Sequence, residues 1–178
     1  MEGRQGATAA DRSGDPFDQG GRWAASGNLI PALLTTLLNE PYLGKTPPKS
    51  TGKELFNLEW LDSLSSEYTA PPEDIQATLC RFTVETIAMG IAACSTNDVD
   101  EIFICGGGAL NQHLMSLLEQ KLPGTPIQST AACGIDPMHV EAAAFAWLAH
   151  QTLNHLPGNL PEVTGASRPA VLGGIYLP

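Results

Sequence analysis

Positive charge is scarce in this chain of 178 residues. Nine Lys and Arg stand against nineteen Asp and Glu, a formal net charge of −10 at pH 7. The basic side chains are scattered, so there is no cationic patch of the kind that holds nucleic acid or an anionic membrane. Cysteine is sparse as well. Cys80, Cys94, Cys105 and Cys133 lie far apart with no C-x-x-C pair, a spacing that supports neither a zinc site nor a disulfide framework. Their neighbours Leu79, Ile104 and Ala132 are apolar, which predicts buried, reduced thiols in a cytoplasmic protein. No apolar run reaches the ~18–20 residues that span a bilayer. The opening residues Met1 to Gly6 hold no apolar stretch of a secretory signal. The histidines show no metal-ligand spacing, and His139 and His150 read as surface residues. No nucleic acid, membrane or metal site is therefore expected.

What the chain does have is apolar content of 43%, enough for a core in about one domain. Residues 1–20 are rich in Gly, Asp, Arg and Ser and predict a disordered or non-native tail, with a domain over 21–178. Ser26 can cap a helix from about Leu29 to Asn39, with Pro31 in its first turn and Leu33, Leu34, Leu37 and Leu38 as its stripe. A long loop covers Tyr42 to Asn57, and a short helix is expected over Leu58 to Leu64. The longest helix runs from about Glu73 to Cys94, with Asp74 and Gln76 as capping and surface residues. A strand over Asp100 to Cys105, a helix carrying Leu110, Leu114, Leu117 and Leu118, and a strand over Pro126 to Ser129 come next. Asp136-Pro137 is an N-cap and N1 pair for a last helix reaching about Asn154, in which Phe145 and Trp147 read as core. A final strand is expected over Ala170 to Tyr176. Strand, helix, strand implies a parallel pair, hence an α/β fold with helices on a small, partly parallel sheet.

Between the first strand and its helix stands Gly106-Gly107-Gly108-Ala109-Leu110-Asn111. Three glycines at such a turn bring bare backbone close to a ligand, and a helix start offers unpaired amides that suit phosphate. The alternative is a tight turn that binds nothing. It is not a Walker loop, because no Gly-Lys-Ser/Thr comes after the glycines. Nor is it a dinucleotide fingerprint, because Asn111 stands where the third glycine would be. Lys49-Ser50-Thr51-Gly52-Lys53 has no upstream glycine or strand and reads as a structural loop. Glu141 sits among small and apolar helix neighbours, which places it at the edge of a buried face, where a carboxylate needs a partner.

The turn resembles the adenosine-binding turn of the sugar-kinase, Hsp70 and actin superfamily. More narrowly, the chain resembles the C-terminal half of the anhydro-N-acetylmuramic acid kinase family. The resemblance rests on many separated blocks. Gly21 to Gly27, Pro47 to Glu54, Asp74 to Leu79, Gly134-Ile135, Val140 to Ala149, Pro157 to Pro161 and Val171 to Gly173 join the glycine turn.

That resemblance implies the C-terminal half of an actin-like (ribonuclease H-like) ATPase fold. It implies that Gly106, Gly107, Gly108 and Asn111 hold ATP, with Mg²⁺, and that Glu141 holds the anhydro-sugar. The family phosphorylates 1,6-anhydro-N-acetylmuramic acid in peptidoglycan recycling while a water opens the anhydro ring. The family's first phosphate hairpin and its Gly-Phe-Asp-Thr-Gly-Pro segment with the catalytic aspartate have no counterpart here. The chain is thus expected to supply no catalytic residue and to be inactive alone, as a truncated product or one half of a split kinase. A non-catalytic nucleotide-binding or interaction module is the other reading. A homodimer, or a partner supplying the missing domain, is the expected assembly.

Overall fold

The computed structural model describes residues 17–94 and 99–176. Asp18 opens the fold. Its carboxylate accepts the amides of Trp23 at 2.9 Å and Ala24 at 3.0 Å, closing the first turn of α1 (Arg22–Ser26). Of the tail expected over residues 1–20, residues 1–16 lie outside the described residues, whereas Asp18 is buried and built into the domain. Ser26 ends α1 instead of capping the next helix; its hydroxyl donates to the Trp23 carbonyl at 2.7 Å. α2 (Pro31–Leu38) begins on Pro31, whose fixed φ suits a first helical turn. A 3₁₀ turn at Pro41–Gly44 and a long loop lead to α3 (Leu58–Ser65), which Asn57 caps by accepting the Trp60 amide at 2.9 Å.

α4 (Pro72–Cys94) is the element on which the domain is built. Leu79 and Phe82 face one side of it, Cys80 and Val84 another, because residues three or four apart share a helix face. The first side closes a core with Leu33, Leu37 and Leu61, edged by Phe56 and Trp60, whose rings meet edge to face at 5.1 Å. The second closes a core with Ala24, Leu114, Leu118 and Ile127. Between them, residues 27–30 are fastened to α4. The Asn28 amide donates to Asp74 Oδ1 at 2.7 Å and the Ile30 amide to Thr78 Oγ1 at 3.0 Å. Gln76, expected at the surface, is fully buried. α4 also has the length and mean hydropathy (1.3) of a bilayer span, contrary to the expectation that no stretch does, yet both cores pack on it.

β1 (Ile102–Ile104), α5 (Gln112–Lys121) and β2 (Ile127–Ser129) come next, then α6 (Val140–Leu153) and the single turn α7 (Pro161–Thr164). β1 and β2 pair in parallel with Ile102 opposite Ile127 and Ile104 opposite Ser129, as strand, helix, strand requires. The fold class is α/β, with a two-stranded sheet among the described residues. Ile102 and Ile104 turn toward the second core, and Phe103 points the other way and is 39% exposed.

Several sequence expectations fail for want of a covering layer. No residue of α6 is buried, so Phe145 (64% exposed) and Trp147 (53%) are not core. Cys94, Cys105 and Cys133 are exposed, and only Cys80 is buried. No strand forms over Ala170 to Tyr176. Instead Asn159 fastens that segment, accepting the Ala170 amide at 2.7 Å and donating to the Arg168 carbonyl at 3.2 Å. Lys49 is structural: its ammonium donates to the Leu43 carbonyl at 2.9 Å and lies 5.1 Å from the Tyr42 ring centre.

Candidate functional site

The two parallel strands end side by side, and the segments leaving their carboxyl ends form the candidate site. After β1 the chain turns at Gly106, with φ 72° and ψ −169°. That region of backbone space is essentially open to glycine alone. The Gly106 amide donates to the Pro137 carbonyl at 2.7 Å, so it is committed inside the protein. Gly107–Leu110 form a 3₁₀ turn in which Gly108 is buried. The amides of Gly107 and Gly108 have no acceptor among the described residues. Of the three glycines, Gly106 contributes the bend.

The helix does not begin on the glycines. Asn111 intervenes, buried, with Oδ1 accepting the Leu114 amide at 2.9 Å and its own amide donating to the Gly108 carbonyl at 3.1 Å. It is the N-cap of α5, and the helix dipole is displaced from the glycines by one 3₁₀ turn. Leu110, expected on the buried face of this helix, lies before it and is 59% exposed. Gly21 packs onto Asn111 so closely that an added Cβ would stand 2.1 Å from Oδ1. Asn111→Ala should therefore cost about 1–2 kcal/mol through the lost cap, whereas Asn111→Asp keeps it. Thermal melts compare the two, and equal melting temperatures would remove the capping role.

After β2 comes Thr130, at the carboxyl end of the sheet where open α/β folds place ligands. Its Oγ1 is buried and has no partner among the described residues. Sequence reasoning missed this residue. Its signal was only its place, one residue past the strand partner of Ile104. Asp136 caps as expected, accepting the Met138 amide at 2.8 Å, but the turn it opens is a separate 3₁₀ turn, Pro137–His139, before α6. The Gly106–Pro137 bond ties the glycine turn to this entrance of α6. Glu141 lies in the first turn of α6 and is exposed, not at the edge of a buried face; the C-terminal segment packs on α6 farther along, where Gln151 donates to the Pro157 carbonyl and Thr152 to the Leu172 carbonyl. Among the described residues no group of three His, Cys, Asp or Glu comes together to hold a metal.

Parallel strands with a glycine turn and an adjoining helix entrance at their carboxyl ends form the crevice of an open α/β fold, the place where such folds bind ligands. A family model for anhydro-N-acetylmuramic acid kinase matches residues 6–178, and the chain belongs to that family. Curated relatives agree. An anhydro-N-acetylmuramic acid kinase of Variovorax paradoxus is 50% identical over 165 residues, covering 92% of this chain and 44% of that protein. One of Chromohalobacter salexigens is 48% identical over 166 residues, covering 92% and 44%. One of Shewanella putrefaciens is 50% identical over 163 residues, covering 91% and 44%. The chain thus spans somewhat under half the length of these relatives.

Proposed function

We propose that this chain is the adenosine-binding half of an ATP-dependent anhydro-N-acetylmuramic acid kinase, built as the C-terminal half of an actin-like ATPase fold over residues 21–178. The observation that carries the reading is the glycine turn, with two unclaimed amides at the carboxyl end of a parallel strand. Gly107 and Gly108 donate to the nucleotide, Gly106 holds the bend that lets it approach, and Asn111 holds the turn's exit beside the ligand. Glu141 accepts a hydrogen bond from a hydroxyl of 1,6-anhydro-N-acetylmuramic acid. Its exposure on α6 is compatible with this, since a sugar reaches it from solvent. Mg²⁺ arrives with ATP, where it neutralises phosphate charge, and no described cluster of this chain is its seat.

Phosphoryl transfer needs a group that orients the nucleophile, and none is assigned to this chain. This segment binds nucleotide, and turnover needs the rest of the length that its relatives have. We assign it to the cytoplasm, where ATP and the recycled sugar meet. The exposed apolar side of α6 favours a second reading, a non-catalytic nucleotide-binding or interaction module.

Calorimetry with ATP and Mg²⁺ tests the turn. Binding should be measurable for the natural chain and fall at least tenfold in Gly107→Val, whose side chain occupies the approach to the amides. Equal affinity in both would reject the turn as the site. Kinase assay with the anhydro-sugar should show no product from the chain alone. Product on adding the first half of a relative separates split kinase from module.

A further inference from the structure

We infer that a cavity between α1, α3 and the first turns of α4 binds a small alkylammonium ion, a free aliphatic amine with a short apolar body. The cavity has a volume of about 190 Å³ and is lined from all three helices by Trp23, Leu61 and Gln76, among others. That is below the roughly 300–1,000 Å³ of sites for drug-sized ligands, so its occupant is a fragment-sized molecule. No residue of the glycine turn or of either strand lines it. It is a second site, and it does not rest on the nucleotide reading.

The lining residues name the chemistry. Leu61, buried, and Ile75 supply apolar surface for a hydrocarbon chain. Trp23 and Tyr68, both half-buried, add two aromatic rings, and the face of such a ring attracts a cation. Both are held from outside the cavity. The Trp23 amide donates to the Asp18 carboxylate at 2.9 Å, and the Tyr68 hydroxyl is hydrogen-bonded to that of Thr36, on α2, at 3.1 Å. Gln76 lines the inner wall, fully buried, and its carboxamide oxygen is of the type that accepts an N–H. Asp62 is exposed on the same lining, and its carboxylate is in no salt bridge among the described residues. No Lys, Arg or His lines the cavity. One uncompensated negative charge thus stands beside aromatic and apolar surface.

Other ligand classes fit less well. A carboxylate or phosphate would face Asp62 at close range and the net charge of −10 at long range, whereas the same field draws a cation in. A neutral molecule of the same shape would use Leu61, Ile75 and the rings but leave the Asp62 charge unanswered. A divalent metal lacks donors, since no group of three His, Cys, Asp or Glu comes together among the described residues.

The test is calorimetry of the chain with pentylamine at neutral pH, set against 1-pentanol and pentanoate, which have the same chain with a neutral and an anionic head. The amine should bind at least tenfold more tightly than the alcohol, and pentanoate should give no heat. The indole N–H resonance of Trp23, assigned by its loss in Trp23→Phe, should shift on adding the amine. Asp62→Asn should bring the amine down to the affinity of the alcohol while melting like the natural chain, because Asp62 is exposed. Ser65→Leu puts a larger side chain into the lining and should weaken both ligands at least tenfold. No heat with the amine, equal affinity for amine and alcohol, amine binding unchanged in Asp62→Asn, or binding without a shift at Trp23 each overturns the inference. Displacement of the amine by adenosine also overturns it, because the cavity is then part of the nucleotide site. ATP affinity is read separately with Gly107→Val, so failure of the amine site leaves the glycine turn untouched, and failure of the turn leaves the amine site untouched.

Discussion

Gly27→Ala should destabilise the domain by about 3–5 kcal/mol, a large share of the roughly 5–15 kcal/mol that holds a domain together. Gly27 has φ −94° and ψ 171°, which any residue adopts, so the effect is steric. An added Cβ would stand 2.0 Å from the Glu73 carbonyl oxygen and 2.3 Å from its carbon. Backbone in the first turn of α4 cannot swing aside as a side-chain tip does. Residues 27–30 must instead lift off α4, which breaks the bonds of Asn28 to Asp74 and of Ile30 to Thr78. Thr78 is fully buried, so its hydroxyl loses a bond with no water to replace it. A fall in melting temperature on the order of 10 °C is expected for a chain of this size. Gly90→Ala is the comparison. Gly90 lies within the same helix with open space around it, and alanine there should stabilise by about 0.5–1 kcal/mol. If both variants melt alike, the close approach of residue 27 to α4 is wrong.

Gly21→Ala should cost about 3 kcal/mol and should also reach the glycine turn. At φ 74° and ψ 21° an L-residue pays about 1–2 kcal/mol for the left-handed conformation. The Cβ then meets Asn111 Oδ1 at 2.1 Å and His113 Cβ at 2.7 Å. Asn111 is buried and holds both the start of α5 and the Gly108 carbonyl, so pushing it aside loosens the cap and the turn together. Gly20→Ala separates the two costs. Gly20 has φ 67°, but its nearest contact is Gln112 Oε1 at 3.8 Å, so it pays strain alone. Chemical denaturation should rank Gly21→Ala well below Gly20→Ala, and only the former should weaken ATP binding. Equal losses would show that Gly21 does not support Asn111.

Much of the local structure was legible because caps and breakers act over a few residues. Pro31 and Asp136 each stand at an element start, and their effect needs no distant partner. The parallel pairing of β1 and β2 was also legible, since a helix between two strands leaves little choice. Gln76, expected at the surface, was misjudged for a physical reason. A polar side chain goes inside when the surrounding backbone offers it partners, and those partners come from elsewhere in the chain. Phe145 and Trp147 were misjudged in the opposite sense. Composition says that a helix wants cover, but not whether this polypeptide provides it.

The amino-acid sequence by itself determined the family, the α/β order of elements and the three-glycine bend, because each is written in contiguous residues. Only the tertiary structure decided how the bend is used. It committed the Gly106 amide to Pro137, turned Asn111 into a helix cap under Gly21, and left Gly107 and Gly108 with open donors. It also left the side chains of residues 141–147 of α6 exposed. These outcomes depend on which distant backbone arrives within hydrogen-bond reach, and that is a property of packing, not of neighbouring residues.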